Sequence, residues 1–75
     1  MDKNDPMRDD LGRMVRELWI KHCLTIGDTK PSHLVSYDEL SENDKEADRV
    51  IGEGVFVATV RWKRVLREIL SRENL

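Results

Sequence analysis

The chain has 75 residues, one cysteine, and 13 Lys and Arg against 15 Asp and Glu, for a formal net charge of −2. A domain of this size buries only about 60 % of the surface its unfolded chain exposes, and small folds rely on disulfides, a metal or a partner chain. The lone Cys23 excludes an intrachain disulfide, the acidic balance excludes a strongly basic nucleic-acid binder, and His22 beside Cys23 lacks the spacing of a tetrahedral zinc site, which leaves self-association as the staple.

The first residues, MDKNDPMRDD, are polar and carry no signal-peptide core, and Met1 to Asn4 are expected to fray. No run approaches the roughly 18 apolar residues of a membrane span. These features predict a cytoplasmic protein that needs no cofactor and no metal. Asp5-Pro6 then starts a helix, because aspartate accepts from free first-turn amides and proline at the first position loses no bond. Met7, Leu11, Met14, Val15, Leu18, His22 and Ile26 recur at three- and four-residue spacing and form one face. Gly27-Asp28 closes the helix, since glycine tolerates a left-handed cap.

Thr29 to Ser36 reads as a connection, with Leu34 and Val35 packing on the helices, and Tyr37 to Leu40 as a single turn. Ser41 caps a second helix, and Glu42, Asp44 and Glu46 suit its positive end. Gly52, Gly54 and the β-branched run from Val55 to Trp62 favour a strand locally. A strand with no partner is unstable, however, and the helical reading yields a stripe of Ala47, Ile51, Val55, Ala58, Trp62, Val65 and Ile69. Gly54 and Ala58 on that stripe would let another helix approach closely. The predicted fold is therefore an all-α helical hairpin in one domain over 1–75. It has a helix over about 6–26, a hinge turn over about 37–40 and a long helix over about 42–72, with Gly52 and Gly54 as the place for a kink, and is completed by self-association.

Phe56 and Val60 lie opposite the stripe, and Val50 and Val57 flank it, so one short helix cannot cover the second. These four residues are the expected self-association or partner surface. Residues 38–53 are mostly acidic and 61–72 mostly basic, so two copies packed antiparallel would bring opposite charges together.

The stretch Leu34-Val35-x-Tyr37-x-x-Leu40-Ser41-Glu42-x-x-Lys45-Glu46-x-Asp48-Arg49 resembles the signature of the ryanodine-receptor repeat domain, a small helical module also found free-standing in phages and bacteria. Ser36 and Ser41 stand where that pattern carries prolines. The resemblance implies a helical, non-catalytic, phage- or prophage-encoded protein that binds a small, nucleotide-derived ligand in phage–host conflict.

Physically, Trp19, Tyr37, Lys45 and Arg49 would gather an aromatic surface and two cations near a helix N-terminus, a combination suited to a nucleotide-like ligand. Each also has a structural explanation: Arg49 can pair with Glu46, Asp48 can satisfy the loop or Tyr37, and Trp19 and Tyr37 can be core aromatics. An interaction protein that blocks or adapts a larger host protein is the alternative. Nucleic-acid binding through Arg61 to Arg64 is disfavoured by the acidic half of the same helix. His22 and Cys23 diverge by about 100° on a helix and form no nucleophile–base pair, and no phosphate loop is present, so enzymatic activity is not expected.

Overall fold

The computed structural model describes residues 2–73. Helix α1 runs Pro6–Thr25 and helix α2 Glu42–Glu73, joined by two single 3-10 turns, Pro31–His33 and Tyr37–Glu39. No strand occurs among the described residues, and none of their helices is long and apolar enough to cross a membrane. Gly52 and Gly54 sit inside a continuous α2 of 32 residues.

Local chemistry sets each boundary. Asp5 caps α1 by accepting from the Met7 amide at 2.9 Å, with Pro6 in the first turn. At the other end Gly27 takes φ +76°, which turns the chain so that Asp28 N–H bonds Cys23 O at 2.8 Å and Gly27 N–H bonds Leu24 O at 3.2 Å. Ser41 Oγ accepts from Asp44 N–H at 3.2 Å at the start of α2. Lys3 and Asn4, in the segment expected to fray, form a turn. Asp5 N–H bonds Asp2 O, and the Arg8 guanidinium bonds Lys3 O at 3.1 Å. Met1 lies outside the described residues.

The helices pack through a polar seam rather than through their apolar stripes. A Cβ on Gly52 would stand 2.8 Å from Leu11 Cβ and 2.9 Å from the Leu11 carbonyl, so the two backbones meet there. A Cβ on Gly12 would stand 3.0 Å from the Tyr37 ring and 3.1 Å from Arg49 Cγ. Around these glycines Arg8 bonds Glu46 and Glu53, and Arg16 bonds Asp48, with Arg8 and Asp48 both buried. The close approach expected at Gly54 and Ala58 is not there: nothing lies within 4 Å of a Cβ on Gly54. Only Gly12 and Gly52 face the opposite helix.

That seam leaves most of the apolar stripes turned away from the helix–helix contact. Ile51, Val55, Trp62 and Leu66 on α2 and Met14 and Leu18 on α1 are all more than half exposed. Phe56, expected on the outward side, is half-buried against α1 and shares an apolar groove with Leu11, Met14, Leu18, Val55 and Thr59. Val50, Val57 and Val60 are exposed on other sides of α2. Among the described apolar residues only Cys23 and Tyr37 are buried.

The hairpin is thus one layer of helix, with Cα extents of 55 × 33 × 12 Å and a radius of gyration of 16.4 Å. A compact 75-residue domain would have a radius of about 11 Å. At about 1.5 Å per residue, α2 is some 18 Å longer than α1, and its C-terminal half projects beyond the hairpin.

Candidate functional site

Tyr37 anchors the expected site. Its 3-10 turn lays the ring over Gly12, where the missing side chain of α1 makes room, and burial follows. The hydroxyl donates to Asp9 Oδ1 at 2.5 Å and accepts from Arg49 Nε at 2.9 Å. Lys45 Nζ stands 5.8 Å from the ring centroid and Arg13 Cζ 5.0 Å, so two cations flank the π system. Arg13 also makes a two-bonded pair with Asp38, both at 2.9 Å.

Arg49 is the hub of this cluster. Its Nε also reaches Asp9 Oδ1 at 3.0 Å, while Nη1 reaches Glu42 at 2.6 Å and Glu46 at 3.6 Å. The Glu46 pairing anticipated at three-residue spacing is present, but Asp9 and Glu42 are the closer partners. Asp48 turns to Arg16, at 3.0 Å, rather than to the loop or Tyr37. The polar hollow alongside is lined by Lys3, Asp5, Arg8, Asp9, Glu42 and Arg49. Its three carboxylates balance its three cations, so the rim offers no net positive charge to a phosphate-bearing ligand.

The structure brings Tyr37, Lys45 and Arg49 together and places Trp19 elsewhere. Trp19 lies seven residues beyond Gly12, about 10 Å along α1. Its indole N–H donates to His33 O at 3.1 Å, and its ring sits 6.1 Å from that of His33 and 6.2 Å from that of His22. Trp19 therefore braces the connection between the helices. Arg8, Arg16 and Gly12 carry the seam, yet as polar or small residues they stood outside the apolar periodicity. The signal for Gly12 was its cost of about 1 kcal/mol in a helix interior, which a close contact explains.

The ion pairs shift the carboxylates in one direction. Asp9 is held below the ordinary aspartate value by the Tyr37 hydroxyl and then Arg49, Asp38 by Arg13, and Glu46 by Arg8. Tyr37 is pushed up by burial and by its bond to Asp9. Groups with depressed folded-state values contribute stability that is complete above the unfolded carboxylate range and is lost as pH falls through the depressed values. Helicity followed by circular dichroism is expected to hold from neutral pH to about 5 and to fall below about 4. A fold unchanged at pH 2 would show that these pairs contribute little.

A second cluster joins the end of α1 to the connection. Cys23 Sγ, an Asp28 carboxylate oxygen and a His33 ring nitrogen all lie within 4.8 Å of one another, with His33 Nδ1 2.7 Å from Asp28 Oδ2. His22, the residue adjacent to Cys23, is not part of it. No family model, curated protein or solved structure matches the chain.

Proposed function

We propose that this chain is a non-catalytic interaction protein whose working surface is the apolar face shared by α1 and α2, and that its first partner is a second copy of itself. The carrying observation is the face: two helices in one layer present their stripes to the same side, with no second layer to bury them. The accessible surface is 6092 Å², whereas a compact monomer of 8.8 kDa would expose about 4,800 Å². Two copies that covered such an excess would bury roughly 2,600 Å² in total, within the range of obligate homodimers.

Charge favours an antiparallel arrangement. Arg61, Lys63, Arg64, Arg67 and Arg72 on the projecting half of α2 make no ion pair among the described residues. Asp10, Glu17 and Asp44, nearer the other end of the hairpin, are likewise exposed and unpaired there. Head-to-tail stacking of two hairpins brings these sets within reach, and complementary charge sets register and on-rate.

The resemblance of Leu34 to Arg49 to ryanodine-receptor repeats supports a binding role. The engagement of Arg49 by Asp9, Glu42 and Tyr37 shifts the weight from a nucleotide-like ligand at the hinge to the apolar face. Leu18→Asp and Val55→Asp, both at exposed groove positions, are expected to weaken self-association at least about 30-fold by sedimentation, since a buried unpaired charge costs several kcal/mol. Leu24→Asp, exposed on α1 and outside the groove, is expected to leave it unchanged. Equal behaviour of all three variants would refute the assignment.

A further inference from the structure

We propose that Cys23, Asp28 and His33 form a binding site for one borderline-soft divalent cation of the zinc class, with solvent completing the coordination. The three donors come from three separately fixed pieces of chain: the last turn of α1, the turn after Gly27 and the 3-10 turn Pro31–His33. Two backbone bonds hold the pieces without an ion, and a third bond fixes the Asp28 carboxylate itself. Asp28 N–H bonds Cys23 O at 2.8 Å, Lys30 N–H bonds Asp28 Oδ1 at 3.1 Å, and His33 N–H bonds Lys30 O at 2.9 Å. Trp19 Nε1 bonds the His33 carbonyl from outside.

The donor types fit. Thiolate sulfur, imidazole nitrogen and carboxylate oxygen are the three ligand classes of zinc. Metal–ligand distances of about 2.0–2.3 Å place tetrahedral donors some 3.3–3.8 Å apart. The donors here are 2.7 Å apart for the His33–Asp28 pair and at most 4.8 Å for any pair, so adjustments of about 1 Å bring them to an ion. Cys23 is fully buried and fixed, while the Asp28 and His33 side chains are 25 % and 40 % exposed and can both shift and admit the ion.

Cys23 is 0 % exposed and has a carboxylate for a neighbour. Burial and then the Asp28 charge push its acidity down, so the bare site holds a neutral thiol. A divalent cation reverses that preference. On binding, the Cys23 S–H proton leaves to solvent and the sulfur becomes a thiolate ligand. Coordination through Nδ1 requires the Nε2–H form of the His33 ring, so its hydrogen bond to Asp28 is exchanged for the ion. The thiol releases one proton per ion, and affinity rises with pH. Such an ion would tie the connection to α1 in a chain that has no disulfide.

The test is titration of the chelator-treated full-length chain with Co²⁺, followed by displacement with Zn²⁺. A thiolate-to-cobalt charge-transfer band saturating at one equivalent is expected, with proton release as Co²⁺ binds and bleaching of the band by Zn²⁺. Cys23→Ser should abolish the band. Because even outer-shell partners are worth about 10–100-fold in affinity, His33→Gln and Asp28→Asn should each weaken binding at least about tenfold, and His22→Gln should change nothing. Circular dichroism confirms that each variant stays helical, and His33, on a half-exposed turn, reports even where Cys23→Ser unfolds. Absence of the band at millimolar Co²⁺, or zinc affinity unaffected by His33→Gln, would overturn the proposal.

Discussion

Asp48→Ala is expected to destabilise the fold by about 3–5 kcal/mol, because it strands a charge in the seam. The Asp48 side chain is 9 % exposed and that of Arg16 14 %, and the two are joined at 3.0 Å and 3.5 Å. Alanine removes the carboxylate but leaves the guanidinium at the helix–helix contact, where hydration is poor. A domain of 75 residues has a total stability of about 4–11 kcal/mol, so the loss amounts to a large part of it. Urea denaturation at fixed chain concentration measures the difference, since self-association links stability to concentration. Replacing both partners, Arg16→Met with Asp48→Leu, is expected to recover most of the loss because no orphaned charge remains. Asp38→Ala is the contrast: the Arg13–Asp38 pair is 43 % and 73 % exposed and is worth no more than about 1 kcal/mol.

Two glycines one turn-half apart are expected to respond with opposite signs. Gly52→Ala places a methyl 2.8–2.9 Å from Leu11 Cβ and the Leu11 carbonyl, and backbone cannot yield as a flexible side-chain tip can. The overpacking costs about 1–3 kcal/mol or more, which outweighs the roughly 1 kcal/mol that alanine gains over glycine in a helix. Gly54→Ala meets nothing within 4 Å and keeps only the gain, about 0.5–1 kcal/mol of added stability. Thermal midpoints should therefore fall for the first variant and rise for the second. A rise for both would mean that the helices do not meet at Gly52.

The features legible in the sequence are those decided within a few residues. Asp5-Pro6, Gly27 and Ser41 each terminate a helix by bonds to amides or carbonyls nearby, and the periodic apolar residues identify both helices despite the β-branched run at 55–62. What periodicity cannot report is the rotation of one helix against another. The stripes imply that apolar faces meet, yet Gly12 and Gly52 allow a closer backbone approach than leucines would. The arginines at 8 and 16 then find carboxylates across that short gap.

The candidate site divided for a related reason. Tyr37, Lys45 and Arg49 lie close along the chain and meet through one turn of the second helix, which spacing can foretell. Trp19 depended on how the connection folds back, and the turn at Gly27 sends His33 rather than Tyr37 to it. The same turn sets His33 beside Cys23, a pairing ten residues apart that no helical spacing contains.

The apolar face carries the account, and the mass of the chain in solution tests it most directly. Sedimentation equilibrium at tens of micromolar, run with and without chelator, is expected to return twice the 8.8 kDa chain mass in both conditions. A single 8.8 kDa species across that range would contradict it.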